Sequence, residues 1–403
     1  MTETDAPVPP ESGLPPVAQE GMADDKRRFN TTGLIVSIIT VLIAFLMGGL
    51  VVLVTGHNPI STYHAIFNGT GLTWLVPGLS NASDASNLQQ TLLVTTPLIL
   101  TGLAVAFAFR CGMFNIGGQG QYFAGTYAAV IVGSNWGSIP GPAHIILCLV
   151  VAVLAGAAWG GIAGFLKATT GAHEVISTIM LNWIAVYIGI YFFGLQGPFV
   201  SSAYSPISNN IVSSVHLPVF WGDPQLQGLH IGLFIAIAAL FVFWAILNRT
   251  TLGFEVRAVG FNPEAARYSG INVKKNYFLA MAISGGFAGL AGAVDILGWQ
   301  FQIATPDILV AASGGVGFLG IAVALLGRNS AVGVFFAALL FGALTTGTAS
   351  RQLDPSVFDP QLAGNLTWMI QGLVVLFVGA DLLVLSVWRA RKKLPIRQMM
   401  GNR

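Results

Sequence analysis

Three amides stand close together in one glycine-rich stretch, Asn115 to Gln121, which follows an apolar run that ends at Arg110. Its sequence is NIGGQGQ, so Asn115, Gln119 and Gln121 are separated mainly by glycine. Glycine and amides at membrane depth predict irregular backbone that borders a cavity or is buried in protein. Alternatively, the glycines only permit close packing and the amides bond neighbouring helices.

Further uncharged polar and aromatic residues interrupt other apolar runs. Asn182 stands in mid-helix beside Trp183, and Trp368 and Gln371 lie in the last apolar run. A pathway through a membrane favours such groups, because buried charges are costly there. The candidates for its lining are Asn115, Gln119, Gln121, Asn182, Trp183, Trp368 and Gln371. For Asn182, a hydrogen bond between two helices is an equally good explanation.

A short separate helix is predicted in the segment TTLGFEVRAVGFNPEAARYSG, Thr250 to Gly270. Asn262 suits the N-cap, Pro263 the first helical position, and Glu264 the first turn, where an acid complements the helix dipole. Gly270 suits the position just after the helix. A compact helix of about two turns between two spans is a natural docking element for another protein. The alternative is an ordinary solvated loop.

Acidic, metal-binding and phosphate-binding chemistry has little support in the sequence. Glu174, Asp295 and Asp381 fall toward the ends of apolar runs, whereas a proton or ion relay would place acids nearer the midplane. No phosphate-cradling GxxxxGK[ST] motif, HExxH or GxSxG occurs, and the six histidines are scattered. We therefore expect no catalytic residue, no metal and no cofactor. Cys111 and Cys148 are expected to be packing residues.

The amino-acid composition indicates whether these groups lie in a membrane or in water. The chain is 54% hydrophobic and 8% charged, with a mean hydropathy of +0.73, whereas soluble proteins carry roughly 25% charged residues. This predicts an all-α, polytopic membrane protein. Its ten predicted spans are Gly33–Val54, Gln90–Phe109, Asn115–Val132, Ala143–Leu166, Glu174–Phe193, His230–Leu247, Tyr277–Leu297, Leu309–Leu326, Ala331–Thr348 and Thr367–Trp388.

The basic residues determine the predicted topology. With ten spans, all of the 18 lysines and arginines except Arg351 fall on one side of the membrane. The positive-inside rule then places both termini in the cytoplasm of a multi-pass protein of the bacterial cytoplasmic membrane. The predicted organisation is a disordered acidic, proline-rich tail over 1–28, a transmembrane domain over 29–390 with a cytoplasmic loop at 249–276, and a basic tail over 391–403.

A second glycine-rich stretch, GGVGFLGIAVALLGRNS from Gly314 to Ser330, lies five spans after the first. An offset of five spans would make two copies inverted with respect to the membrane, a common device in transporters, so the pattern suggests an inverted repeat. The third and eighth spans are predicted to be bent or broken. Glycines spaced by four predict tight helix packing at Gly156, Gly160, Gly164, Gly285 and Gly289.

Four segments, in order, resemble the permease subunits of bacterial ABC importers for simple sugars and nucleosides. They are FNIGGQGQYFAGTYAA, HEVISTIMLNWIAVYI, FEVRAVGFNPEAARYSGINV and GFLGIAVALLGRNS. The resemblance spans roughly Gln90 to Gly379, and the branched-chain amino-acid permeases are related. It implies a transport subunit without enzymatic activity, which moves a nucleoside or simple sugar across the cytoplasmic membrane. ATP hydrolysis would take place on a separate chain.

The resemblance also implies partners. The coupling motif of these permeases falls on Glu264, Ala265, Ala266 and Gly270, preceded here by Asn262, and docks onto a cytoplasmic ABC ATPase. A second permease subunit, identical or different, and an extracytoplasmic substrate-binding lipoprotein would complete the importer, and no nucleic acid is involved. The alternatives are an ion-coupled secondary transporter, an ABC permease for branched-chain amino acids and a membrane scaffold or receptor.

Overall fold

The computed structural model describes residues 31–76, 78, 83–202, 205–223, 228–348 and 360–379. The chain divides into two units, one of Met1–Ile43 with Asp381–Arg403 and the other of Ala44–Ala380. In the first unit the described residues, 31–43, are helical. All contacts below belong to the second unit. The predicted tails, Arg351 and Asp381 lie outside the described residues.

The described part of the chain is built of helices joined by short irregular segments. The α-helices are α1 Thr31–Val54, α2 Pro59–Gly69, α3 Asp84–Arg110, α4 Gly118–Ser134, α5 Gly141–Thr170, α6 Glu174–Phe193, α7 Gly232–Arg249, α8 Thr251–Phe261, α9 Pro263–Tyr268, α10 Val273–Asp295, α11 Thr305–Gly314, α12 Val316–Leu326, α13 Ala331–Gly347 and α14 Pro360–Gly379. Single turns of tighter or wider helix lie at Leu72–Leu75, Ser213–Val215 and Ile296–Gln300. Two antiparallel strand pairs join β1 Val200–Ser202 to β2 Ser205–Ser208, and β3 Val219–Trp221 to β4 Leu229–His230.

The apolar helices identify a polytopic membrane protein. Within the described residues, six helical stretches are long and apolar enough to cross a membrane, and two shorter apolar helices accompany them. Each predicted span coincides with a helix or with two consecutive helices. The last predicted span coincides with α14, but its residues beyond 379 lie outside the part described. Short elements that the sequence did not predict, α2 and the two strand pairs, occupy the long loops on the predicted outer side.

Helix α3 is the most enclosed of the spanning helices. Its side chains from Thr95 to Ala108 are fully buried, and α4, α7, α10, α12 and α13 pack around it. Its threonine hydroxyls donate to the backbone, as at Thr95 Oγ1 to the Thr91 carbonyl at 2.7 Å. A hydroxyl buried at membrane depth is thereby satisfied without water.

The glycine spacing marks the most extensive helix pair, α5 with α10. The predicted close packing is confirmed: a Cβ at Gly156 would overlap the Gly285 carbonyl oxygen, and one at Gly285 would overlap that of Gly156. Gly160 and Gly289 are equally crowded by the backbone of the opposite helix. The absence of side chains therefore brings the two backbones into direct contact.

The eighth span is interrupted, as predicted, whereas the prediction for the third span is wrong, because its helix runs unbroken from Gly118 to Ser134. The third span begins with non-helical residues and becomes helical only at Gly118, so we call 111–117 the entry segment. The eighth span is divided at Gly315, which separates α11 from α12. The start of α4 and the break in the eighth span are neighbours in the fold, since a Cβ at Gly118 would lie 3.1 Å from the Gly317 carbonyl oxygen.

His230 is buried where β4 meets α7 on the predicted outer side. The Gly232 N–H donates to its Nδ1 at 3.1 Å, so the neutral ring carries its proton on Nε2. A Cβ at Gly298 would overlap this ring. Because burial disfavours the charged imidazolium, the pKa of His230 is lowered to about 4.

Candidate functional site

The first amide of the entry segment, Asn115, is fully buried at the centre of a hydrogen-bond network. Its Nδ2 donates to Gln121 Oε1 at 2.8 Å and to Ser284 Oγ at 2.7 Å. Its Oδ1 accepts from the Gly117 N–H at 2.9 Å. Ser284, on α10, in turn donates to the Ala104 carbonyl at 2.6 Å. Asn115 therefore ties the entry segment to α4 and, through Ser284, to α10 and α3.

Asn182 ties the same segment to α6. Its Oδ1 accepts from the Gly120 N–H at 2.8 Å, and its Nδ2 donates to the Ile116 carbonyl at 3.0 Å. These two backbone groups lie at the start of α4, where helical partners are missing. The sequence left open whether Asn182 forms a hydrogen bond between helices. It does form such bonds, and its partners are backbone groups rather than a second side chain.

Gln119 joins the start of α4 to the start of α12. Its Oε1 accepts from the Gly317 N–H at 2.8 Å, in the first turn of α12. Its Nε2 is buried and has no hydrogen-bond partner within the described residues. We call Asn115, Gln119, Gln121 and Asn182 the amide junction. The junction is uncharged and sits at the first turns of α4 and α12.

The other predicted pathway residues do not belong to the amide junction. Gln371, on α14, is buried and donates from Nε2 to Thr345 Oγ1 of α13 at 3.1 Å. Trp368 and Trp183 are exposed on the surface of the chain, at 57% and 48%. The sequence analysis therefore included the four junction amides among its candidates. It could not distinguish them from Gln371, which is buried elsewhere, or from Trp183 and Trp368, which are exposed.

The short helix that was predicted between two spans is confirmed as α9. Asn262 Oδ1 accepts from the N–H groups of Glu264 and Ala265 at 3.0 and 3.1 Å, and Gly270 adopts a φ of +83° just after the helix. Glu264 forms an exposed pair with Arg267 at 3.5 Å. Ala266 is buried, whereas Glu264 and Ala265 are exposed. A second helix that was not predicted, α8, precedes α9 directly.

Two aromatic side chains at α9 were not predicted from the sequence to be functional: one precedes the helix and the other is its last residue. Phe261 and Tyr268 are 91% and 92% exposed, which is unusual for large apolar rings next to water. Aromatic residues concentrate the binding energy of protein interfaces. Two aromatic residues beside a capped helix in a polar loop were the signal available in the sequence.

The acids predicted near span ends are held by neighbouring groups. Asp295 is buried and accepts from the Tyr122 hydroxyl at 2.6 Å and from Trp299 Nε1 at 3.2 Å. Glu174 pairs with Lys167 at 2.8 Å. No group of three or more metal-binding side chains occurs in the part of the chain that the structure describes.

The comparison with known families is decisive at this point. Residues 87–379 match the sequence profile of the family described as "Branched-chain amino acid transport system / permease component". The chain belongs to this permease family. It is therefore a membrane-spanning subunit of an ABC transporter, a transport component and not an enzyme, and the ion-coupled and scaffold alternatives are not supported.

Individual relatives cover nearly the whole permease. The guanosine ABC transporter permease protein NupP of Bacillus subtilis is 39% identical over 89% of this chain and 97% of its own length. The nucleoside ABC transporter permease protein NupB of Lactococcus lactis is 33% identical over 88% and 93%. The glucose ABC transporter permease protein TsgB13 of Haloferax volcanii is 33% identical over 85% and 86%. No solved structure matches the chain.

Proposed function

We propose that this permease carries a nucleoside across the cytoplasmic membrane. The observation that carries the proposal is the 39% identity, over nearly full length, to a guanosine permease. The uncharged amide junction supports it, because a nucleoside is neutral and rich in hydrogen-bonding groups. The wider family carries a branched-chain amino-acid description, but a zwitterionic amino acid would require charged partners that the junction lacks.

A simple sugar is the second candidate, because a glucose permease is 33% identical over 85% of this chain. Uptake of radiolabelled guanosine and glucose by cells that express the complete transporter distinguishes the two. We expect ATP-dependent guanosine uptake that disappears when the permease gene is deleted. Glucose uptake without guanosine uptake would overturn the nucleoside proposal.

The proposed partners are a cytoplasmic ABC ATPase, a second permease subunit and an extracytoplasmic binding lipoprotein. The exposed α9, through Asn262, Glu264, Ala265, Ala266 and Gly270, supports docking of the ATPase, since this chain has no phosphate-binding motif of its own. A heterodimer is supported because a second guanosine permease of Bacillus subtilis, NupQ, is also 31% identical to this chain over 255 residues. Co-purification from the native membrane tests all three partners.

We place both termini in the cytoplasm, on the partition of basic residues. Ser86 and Ser269 are both exposed and lie on opposite sides in this topology. The native thiols, Cys111 and Cys148, are buried. A membrane-impermeant thiol reagent applied to intact cells should label Ser86→Cys and leave Ser269→Cys unlabelled. Labelling of Ser269→Cys from outside would contradict the topology.

Within the amide junction, Gln119 is proposed to meet the substrate when α4 and α12 separate. Its Nε2 is a buried donor without a partner in the described residues, which suits a hydroxyl or carbonyl oxygen. The proposed roles of Asn115, Gln121 and Asn182 are to hold the backbone around it, and Gln371 anchors α14. Gln119→Leu should reduce guanosine uptake, whereas normal uptake kinetics would reduce Gln119 to a packing residue.

A further inference from the structure

The spanning helices expose faces of two different chemistries. As far as Phe165, the large exposed side chains of α5 are hydrocarbon, namely Ile146, Val150, Leu154, Ile162 and Phe165. That of α7 is hydrocarbon as far as Trp244, whose ring lies 5.2 Å from the Arg249 guanidinium near the end of the helix. Both faces suit lipid, because aromatic residues with a polar tip belong at the membrane interface and hydrocarbon belongs between the interfaces.

The exposed face of α6 departs from this rule at Trp183, in the middle of the helix. It carries Trp183, Tyr187 and Tyr191, which are 48%, 65% and 69% exposed, together with Met180 and Ile184. Trp183 is the tenth of the 20 residues of α6 and lies about 14 Å from the start of the helix, at its centre. No hydrogen bond joins its indole N–H, or the hydroxyl of Tyr187, to another residue in the described ranges. Donors in hydrocarbon at this depth are costly, so lipid is a poor neighbour for this face.

The other residues that the structure describes leave this face exposed. Asn182, adjacent in sequence, points to the opposite side of α6 and bonds the Gly120 N–H and the Ile116 carbonyl. The amide junction is buried within this chain, so a substrate that reaches Gln119 must first pass along an exposed surface. The α6 aromatic face, defined as Met180, Trp183, Ile184, Tyr187 and Tyr191, has the exposure and the unpaired polar tips of such a surface.

We propose that the α6 aromatic face lines the substrate path, where Trp183 and Tyr187 stack on the planar base of the nucleoside. The inference rests on the proposed function and extends it from a substrate class to a contact. The two rings lie 6.5 Å apart between centroids and are tilted by 33°, and both are accessible, at 48% and 65% exposure. Stacking on aromatic rings recognises any planar base, and the indole N–H and phenol hydroxyl donate to its polar edge. The second permease subunit closes the other side of this site.

Uptake of radiolabelled guanosine by the complete transporter tests the contact. Trp183→Leu should raise the KM for guanosine about tenfold, as expected for the loss of one stacked base contact. Trp183→Phe, which keeps a ring, should recover most of that loss, and Tyr187→Phe should lose only the hydroxyl contribution. Phe241→Leu, on the lipid-facing side of α7 at 66% exposure, is the matched control and should behave as wild type. Unchanged guanosine kinetics in Trp183→Leu would overturn the proposed contact.

A labelling experiment that is independent of substrate identity separates this inference from the proposed function. A small charged thiol reagent should react with Trp183→Cys in the assembled transporter and should not react with Phe241→Cys, because only the former faces water. If wild-type cells take up no guanosine and Trp183→Cys still reacts, the nucleoside proposal fails and the assignment of this face to the path stands. If Trp183→Cys is as unreactive as Phe241→Cys, the face is covered by lipid or protein and the inference is wrong.

Discussion

The carbonyl oxygen of Arg110 lies directly against the Cα of Gly260, with no room for a Cβ between them. Gly260 lies near the end of α8, next to α9, the proposed docking element, and Arg110 is the residue that precedes the entry segment. A Cβ at Gly112, within that segment, would likewise lie 3.3 Å from the Gly260 backbone. A movement imposed on α9 and α8 by an ATPase would therefore reach the amide junction through backbone contacts alone.

Gly260→Val should uncouple ATP hydrolysis from uptake. The added side chain separates α8 from Arg110, and overpacking of this kind costs about 1–3 kcal/mol of folding stability, so the contact is lost and coupled uptake should fall. The ATPase should still co-purify, because the surface of α9 is unchanged. Gly364→Val, where a Cβ meets nothing within 4 Å, serves as the control. Wild-type uptake by Gly260→Val would show that this contact transmits no movement.

Asn182→Leu should lower the thermal stability of the purified permease as well as its uptake. Leucine leaves the Gly120 N–H and the Ile116 carbonyl without partners, and each unsatisfied group costs about 1–3 kcal/mol. Ile176→Leu, at a position of the same helix that is 63% exposed and outside the α6 aromatic face, should leave the melting temperature unchanged. Equal melting temperatures for the two variants would contradict the bridging role of Asn182.

Phe261→Ala and Tyr268→Ala should each weaken binding of the ATPase without destabilising the permease. Both rings are more than nine-tenths exposed, so their removal takes little from the fold, whereas an aromatic anchor at an interface contributes about 2 kcal/mol or more. The measurement is ATPase retained during affinity purification, and Phe336→Ala, at 62% exposure on α13, is the control. Full ATPase recovery in both variants would move the docking surface elsewhere. Ala266 suits this test poorly, because it is buried and a bulky replacement would displace α9 itself.

The permease should lose stability as the pH falls from about 6.5 to about 4. The His230 pKa is about 4 in the folded chain and about 6.5 when exposed, so within this window the unfolded state binds more protons and acid favours unfolding. The difference corresponds to about 3 kcal/mol, fully present above pH 6.5. Thermal unfolding at pH 7.5 and pH 4.5 measures the loss, and His230→Gln should reduce the difference between the two temperatures. An identical difference in the variant would exclude His230 as its source.

The parts of this fold that could be predicted depend on neighbours in sequence. The cap of α9 is local: Asn262, Pro263 and Gly270 define it within nine residues of chain, and each occupies its expected position. Span positions follow from runs of apolar residues, so the predicted spans agree with the observed helices to within a few residues at most ends. The close packing of α5 against α10 could also be predicted, because a spacing of four places the glycines on one face of each helix.

The parts that could not be predicted depend on tertiary contacts. Gln119 meets Gly317 across 198 residues of sequence, and no local pattern specifies that partner. Asn182 and Trp183 are adjacent and were grouped together, yet one is buried and the other exposed. A helix that is apolar on every side carries no amphipathic signal, so its inward face is determined only by the helices that pack against it.

The glycine contacts between α5 and α10 limit the mutations that the gene can accept. Gly156, Gly160, Gly285 and Gly289 each face backbone atoms of the opposite helix, where even a methyl group would collide. Every glycine codon begins with the same two bases, and a change in either of them encodes a side chain or a stop. These four glycine codons should therefore accept only silent third-base changes. The codons for the exposed apolar residues of α5 should also accept changes that replace one hydrocarbon side chain with another.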